Sequence, residues 1–131
     1  MEQFYTGLAA EFIVAAELAR RNFNVAITIG NTKKLDMIVE INGNSKKIQV
    51  KGIKQRKNNN FRLKVNSLEP GYWYVFVNVN RIELDLGYEF AIMNYKEVIE
   101  NLRRNVNEDD NAIKVGVLDN PMFRNKWERL G

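Results

Sequence analysis

Asn42-Gly43, set between two alternating segments of apolar residues, constrains the fold of this chain more than any other feature. The flanking segments are residues 35–41 and 46–51. Asn-Gly is the strongest short signal for a β-hairpin, because both residues tolerate the positive φ that a two-residue turn requires. The sequence therefore predicts two antiparallel strands, and the side chains along each strand alternate between the two faces.

The turn also determines which polar residues of the two strands lie opposite one another. A turn formed by Asn42 and Gly43 places Asp36 opposite Gln49, and a turn one residue later places Asp36 opposite Lys51. Gln49 and Lys51 share one face because the side chains alternate with a period of two residues. Either two-residue turn therefore brings the three polar side chains together, whereas a three-residue loop would separate them.

A carboxylate, Glu11, lies on the apolar side of the first predicted helix, which covers about residues 3–21. The apolar arc of that helix consists of Phe4, Leu8, Ala15 and Leu18, with Phe12 and Ala19 at its edge. Burying an unpaired charge costs several kcal/mol, so Glu11 needs a metal ion, a lysine or a polar cluster as its partner. If the helix packs on the sheet face that carries Asp36, Glu11 can approach the same cluster.

The chain has no cysteine and no histidine, which excludes thiolate zinc sites, disulfide frameworks and histidine-based hydrolases. Catalysis must then use carboxylates, lysines, amides, hydroxyls or a hard metal ion. Asp36 and Gln49 offer the oxygen ligands that Mg²⁺ prefers, and Glu11 could ligate directly or through water. Lys51 could orient a water that the metal activates, accept its proton, or stabilise charge on a phosphate.

The order of these residues resembles a known family. Residues 35–39, a turn, and then Ile48-Gln49-Val50-Lys51 resemble the hairpin of the PD-(D/E)XK, or restriction-endonuclease-like, superfamily. The helix bearing Glu11 is similar to the first helix of archaeal Holliday junction resolvases and related small nucleases. By this resemblance Asp36 is the acidic metal ligand, Gln49 occupies the D/E position, Lys51 is the lysine of the motif, and Glu11 is the helical glutamate.

Two positions depart from the family pattern. Leu35 replaces the proline of the motif, which is common in the superfamily. Gln49 replaces an acid and removes one negative charge from the metal site, although some intron-associated and transposon-encoded members resemble this Gln-x-Lys form and are regarded as active. The resemblance implies an endonuclease that hydrolyses DNA with Mg²⁺ or Mn²⁺, acting as a homodimer or higher homo-oligomer. The alternatives are a catalytically weak or inactive nucleic-acid-binding module, and a protein-interaction component that borrows the fold.

Each polar residue also has a structural interpretation. Asp36 could pair with Lys33 or Lys34, Gln49 and Lys51 could face solvent, and Glu11 could form a salt bridge between helix and sheet. The net charge of +4 is compatible with a polyanionic partner. The residues predicted to contact nucleic acid are the lysines and the arginine that flank the hairpin: Lys33, Lys34, Lys54, Arg56 and Lys57.

The remaining segments predict an α/β fold with a mixed, twisted β-sheet flanked by helices and an αβββ start, formed as a single domain over residues 1–131. Further strands are predicted at residues 25–29, 61–65, 72–79, 88–93 and 112–118, with 72–79 central and buried on both faces. Asn94 and Glu97 predict a capped helix to about residue 104, and Phe123, Trp127 and Leu130 predict a short packed C-terminal helix. No apolar run approaches the roughly 20 residues that span a bilayer, and we expect a cytoplasmic protein.

Overall fold

The chain starts with one helix and three strands, the αβββ order that the sequence predicts. The structure, a computed structural model, describes residues 2–27, 37–104 and 111–131. The elements are α1 (Glu2–Arg20), β1 (Asn24–Ile27), β2 (Met37–Ile41), β3 (Asn44–Ile53), β4 (Phe61–Leu63), β5 (Tyr72–Asn78), β6 (Glu89–Asn94), α2 (Tyr95–Asn101), β7 (Arg103–Arg104) and β8 (Asn111–Ile113). Short 3₁₀ helices cover Val65–Ser67, Leu84–Leu86, Val115–Asp119 and Trp127–Leu130.

The hairpin between β2 and β3 has the predicted two-residue turn. Asn42 and Gly43 have φ angles of 52° and 82°, and both are therefore in the left-handed region that a type I′ turn requires. The strands on either side pair in the register Ile41 with Asn44 and Met37 with Ile48. Of the alternatives that the sequence left open, the Asn42-Gly43 turn is therefore the one that forms.

The main sheet has five strands in the order β1-β2-β3-β5-β6. β3 and β5 are parallel and the other pairs are antiparallel, so the sheet is mixed. The outer edge of β6 is covered by the C-terminal segment, where the Ile92 amide donates to the Phe123 carbonyl at 3.0 Å. The prediction that residues 72–79 form a buried central strand is confirmed, because residues 74–79 are all buried.

Two apolar layers cover the two faces of this sheet. The first layer contains Ala10, Val14 and Leu18 of α1, which pack against Ile48 and Val50 of β3. The second layer lies on the opposite face, between the sheet, α2 and a small three-stranded sheet of order β4-β8-β7. Its members include Tyr74, Phe76, Phe61, Ile113 and Val98. The successive residues of β3 and β5 therefore point into two different environments.

The predicted inward face of α1 is wrong in part. Phe4 and Phe12 are 63% and 48% exposed, whereas Ala10 and Val14 are fully buried. The reason is a close approach between helix and strand: a Cβ placed on Gly52 of β3 would lie 2.7 Å from the Ala10 Cβ. Small side chains allow that approach, and aromatic side chains would hold the helix farther from the sheet. The two phenylalanines, Phe4 and Phe12, consequently point away from the sheet.

The predictions for the C-terminal half of the chain are confirmed only in part. The Asn94 cap of α2 is confirmed, since its side chain accepts from the Glu97 amide and the Glu97 carboxylate accepts from the Asn94 amide. The strand predicted over residues 112–118 is wrong in its second half, which forms a 3₁₀ helix after the short strand β8. Trp127 and Leu130 are buried as predicted, in a 3₁₀ helix held by a bond of Arg129 to the Ile92 carbonyl.

Candidate active site

β3 extends well beyond its described pairing with β2. The pairing of β2 with β3 runs from Ile41 to Met37, and Met37 lies opposite Ile48. β3 continues along its other side to the pair of Ile53 with Asn78 on β5. Within the described part of the chain, residues 49–53 therefore have a neighbouring strand on one side only. We call this stretch of β3 the open edge.

Gln49 and Lys51 both belong to the open edge and point to the same face of the sheet. Gln49 pairs with Tyr74 and Lys51 pairs with Phe76, and both of these rings belong to the second apolar layer. Gln49 is only 2% exposed, whereas Lys51 is half-buried. The amide is therefore enclosed by the protein, while the lysine next along the face has access to solvent.

The N-terminal half of α1 crosses the same stretch of β3 on the opposite face. The tightest point of the crossing is between Ala10 and Gly52. Glu11 is half-buried and follows Ala10 directly, and Lys51 directly precedes Gly52. α1 therefore packs on the face of β3 opposite to the one that carries Gln49 and Lys51. The sequence placed the approach of Glu11 on the face that carries Asp36, and Asp36 lies outside the described residues.

Asp36 lies outside the described residues, as do Lys33 and Lys34. It is the residue that precedes Met37, where the described pairing of β2 with β3 ends opposite Ile48. The confirmed turn is the one for which the sequence predicts that Asp36 faces Gln49, and that placement stays a prediction.

The basic segment after β3 separates into residues with different environments. Lys54 is half-buried and Lys57 is exposed. The guanidinium of Arg56 binds two carboxylates, with distances of 2.9 and 2.6 Å to Glu89 and 2.8 and 2.7 Å to Asp119. Arg56 therefore ties the segment after β3 to β6 and to the 3₁₀ helix at residues 115–119. The donors of Arg56 are thus used by carboxylates of the chain itself.

The charges of this Arg56 cluster perturb one another strongly. Hydrogen bonds from Arg56 lower the pKa of Glu89, and Asn78 adds a further bond of 2.9 Å to the same carboxylate. Bonds from Arg56 also lower the pKa of Asp119. The two carboxylates in turn raise the pKa of Arg56, first through Asp119 and then through Glu89. All three groups are therefore charged at neutral pH, as a structural cluster.

The family pattern implies a divalent metal ion, and the donor chemistry of the site agrees with that. Glu11 contributes a carboxylate and Gln49 an amide oxygen, both of them hard oxygen ligands. Among the described residues, no three acidic side chains are grouped so that they could hold a metal ion by themselves. Asp36, the acidic metal ligand that the sequence predicts, lies outside the described residues.

Three donors beyond the end of β3 were not predicted from the sequence. They are Thr6 on α1, Arg62 on β4 and Arg81 after β5. These residues are far apart along the chain, and none has a local pattern that marks it. The one available signal was Gly52, because an isolated glycine within a strand often marks the close approach of another backbone.

A family model described as PD-(D/E)XK endonuclease matches residues 1–85. A sequence search of curated proteins gives no significant match. Within the described part of the chain, no helix is both long and apolar enough to span a membrane.

Two solved structures resemble this fold closely over their length. The first is a bacterial homing endonuclease, I-Ssp6803I, with a TM-score of 0.63 and 14% identity over 98% of this chain and 93% of that one. The second is Hjc, a Holliday junction resolvase of the archaeal hyperthermophile Archaeoglobus fulgidus, with a TM-score of 0.61 and 17% identity over 95% of this chain and 100% of that one. At these identities the likeness shows the fold, and it confirms the fold class predicted from the hairpin.

Proposed function

Because the chain belongs to the PD-(D/E)XK endonuclease family, we propose that it is a metal-dependent endonuclease that hydrolyses phosphodiester bonds of DNA. The observation that carries the proposal is the grouping of polar side chains on β3 between residues 49 and 53. Gln49 and Lys51 share one face there, and α1 contacts the same stretch one residue from each of Lys51 and Glu11. The two structural neighbours are named as a homing endonuclease and a Holliday junction resolvase, which supports an action on DNA.

In this proposal Asp36, Glu11 and Gln49 hold a Mg²⁺ or Mn²⁺ ion. When bound, the ion supplies Lewis-acid polarisation of the scissile phosphate and lowers the pKa of a ligated water. Gln49 is buried, so its side chain is already ordered and would ligate the ion without the side-chain entropy cost of an exposed residue. Lys51 orients the attacking water or stabilises negative charge on the phosphate, which its partial exposure allows.

A plasmid-nicking experiment tests this proposal directly. The wild type should convert supercoiled plasmid to open-circular and linear forms with Mg²⁺ or Mn²⁺ and not with EDTA. Lys51→Ala should lower the rate on the order of 10²–10³-fold, the usual effect of removing one group that stabilises transition-state charge. Lys47→Ala is the matched control, since Lys47 lies on the same strand and the same face but outside the open edge. Cleavage that survives both Lys51→Ala and Asp36→Ala would reject the site.

One observation favours a second candidate, a nuclease-fold module that binds nucleic acid without cutting it. Gln49 replaces the acid of the family motif, which leaves the metal site one negative charge short of the family pattern. Titration calorimetry with Mn²⁺ separates the two candidates. The endonuclease should take up Mn²⁺ in a manner abolished by Asp36→Ala, whereas the binding module should show no uptake that depends on Asp36.

The proposal includes a homodimer, because two sites are needed to cut both strands of a duplex. Exposed apolar side chains support it: Phe4, Tyr5 and Phe12 on the outer side of α1, and Leu84 and Leu86 in the loop before β6. Exposed apolar patches commonly mark protein interfaces. Sedimentation equilibrium should give twice the 15.3 kDa mass of the chain, and a monomer at the concentrations that cleave plasmid would contradict this part of the proposal.

A further inference from the structure

A cleft lies beyond the end of β5, between the loop of residues 80–88 and the segment that follows β3. Its volume is about 410 Å³. Clefts of about 300–1,000 Å³ are typical of sites that enclose a small organic group. The lining includes Tyr88 and Asn80 from the loop and Gln55 from the segment after β3.

The cleft lies on the face of the sheet that carries Gln49 and Lys51. Asn78, which lines the cleft, is two residues beyond Phe76 on β5, and Phe76 pairs with Lys51. Side chains two residues apart on a strand point to the same face, so Asn78 shares the face of Lys51. The two residues are separated by two positions along the strands and by one strand spacing, which together give about 8 Å.

The charges around the cleft balance one another. Six charged side chains line it or lie next to it among the described residues, three of each sign: Arg56, Lys57, Arg124, Glu83, Glu89 and Asp119. Asp119 contacts both arginines, at 2.7 Å from Arg56 Nη2 and 3.4 Å from Arg124 Nη1. A group that enters the cleft therefore meets no surplus of positive charge, which favours a neutral occupant over a phosphate.

The uncharged side chains of the cleft offer an aromatic ring and amides. Tyr88 is 55% exposed, and its ring meets the Phe90 ring edge to face with 6.4 Å between the centroids. Asn80 is only 6% exposed, and its amide nitrogen donates to the Gly87 carbonyl, so its oxygen is the end of the side chain that can accept from a ligand. Gln55 is half-buried and can both donate and accept. An open ring beside ordered amides matches the flat face and the polar edge of a nucleobase.

We propose that this cleft binds one unstacked base of the DNA strand close to the bond that is cut. This inference rests on the proposed endonuclease function, and it adds the class of DNA that the enzyme prefers. The separation of about 8 Å between Lys51 and Asn78 corresponds to about one to three nucleotides, because successive nucleotides of one strand rise by about 3.4 Å. Removing a base from the stack costs least where the base has no partner, so the preferred substrate is DNA with an unpaired base.

The experiment measures DNA binding in EDTA, where no cleavage occurs, by fluorescence anisotropy of labelled duplexes. Three duplexes of one sequence are compared: one fully paired, one with a single unpaired base in one strand, and one with an abasic nucleotide at that position. The abasic duplex has the same extra nucleotide and so controls for flexibility of the backbone. The wild type should bind the unpaired base more tightly than the abasic nucleotide on the order of 5- to 150-fold, the range expected for stacking of a base on an aromatic side chain.

Variants of Tyr88 then assign this preference to the cleft. Tyr88→Ala should remove the preference, and Tyr88→Phe, which keeps the ring, should retain it. Tyr5→Ala is the matched control, because Tyr5 is 53% exposed, close to the 55% of Tyr88, and lies on α1 outside the cleft. Its ratio of the two affinities should equal that of the wild type.

Three results would overturn the inference even if plasmid is still cleaved. The first is equal affinity of the wild type for the unpaired base and for the abasic nucleotide, a comparison that needs no variant to fold. The second is a preference that survives Tyr88→Ala. The third is thermal stabilisation of the wild type by a deoxynucleoside monophosphate without any preference among the duplexes, which would assign the cleft to a free nucleotide. Failure of the wild type both to bind these duplexes and to cleave plasmid would reject the proposed function itself.

Discussion

Gly52→Ala tests the contact on which the geometry of the site depends. The added Cβ would lie 2.7 Å from the Ala10 Cβ, whereas carbon atoms in contact prefer about 3.5–4.0 Å. Neither Cβ can rotate away, because each is fixed to its backbone. Helix and strand must therefore separate by about 1 Å, and Glu11 moves with the helix.

The expected cost follows from that displacement. Overpacking of a well-packed core typically costs about 1–3 kcal/mol. For a chain of this size that corresponds to a fall in Tm of roughly 3–15 °C. A displacement of about 1 Å at a catalytic group lowers the rate on the order of 10²-fold. Thermal unfolding followed by circular dichroism and plasmid cleavage below the Tm measure the two effects separately.

Two further variants test whether the effect of Gly52→Ala comes from its contact with Ala10. Gly7→Ala adds a methyl group on the same helix where nothing lies within 4 Å, so it should leave stability unchanged or raise it by up to about 1 kcal/mol. Adding Ala10→Gly to Gly52→Ala removes the clashing methyl group and should recover most of the lost activity. If Gly52→Ala alone is as stable and as active as the wild type, the close approach of α1 to β3 does not position the site.

Other consequences concern the capping, the charged cluster and the metal ligand. Arg56→Met should cost about 1–3 kcal/mol by removing charge-assisted bonds to Glu89. Because the pKa of Glu89 lies below its ordinary value of 4.5, that stability is present above pH 4.5 and is lost as the pH falls below it, so urea unfolding should lose more stability on acidification in the wild type than in the variant. Asn94→Ala should lower stability by about 1 kcal/mol through loss of the α2 cap, and an unchanged Tm would contradict that role. Gln49→Glu should bind Mn²⁺ on the order of tenfold more tightly while being less stable in EDTA, as calorimetry and thermal unfolding would show.

The hairpin was predictable because its determinants are local. Asn42 and Gly43 specify the turn by their own backbone preferences, and the turn then sets the pairing of Met37 with Ile48. The register of β2 with β3 and the alternation of their side chains follow from this turn alone and do not depend on the rest of the fold. The αβββ order and the central strand β5 were predictable for a similar reason, since their apolar patterns are long and continuous.

The inward face of α1 was not predictable from hydrophobicity alone. A helical wheel ranks Phe4 and Phe12 above Ala10, yet the close crossing of β3 at Gly52 selects the small residue. The partner of a helix decides which of its apolar residues fit, and that partner lies some 40 residues away in the sequence. Gly52, which directly follows the predicted strand of residues 46–51, was the one sequence signal for the correct face.

The binding partners of the basic segment after β3 were likewise not predictable from the sequence. Arg56 binds Glu89 and Asp119, which follow it by 33 and 63 residues. Nothing in the local sequence distinguishes it from Lys54, which is half-buried, or Lys57, which is exposed. Which charged side chains pair over such distances in the sequence depends on where the fold places the segments that bear them.

The position of a bound Mn²⁺ ion tests the central claim, that the open edge of β3 is a metal-dependent cleavage site. Crystals grown with MnCl₂ and measured for anomalous scattering would locate the ion. We predict a peak about 2.0–2.6 Å from oxygen atoms of Asp36 and Gln49, with Glu11 bound directly or through one water. A peak elsewhere on the protein, or a Gln49 whose side chain faces no ion in crystals of the active enzyme, would contradict the account.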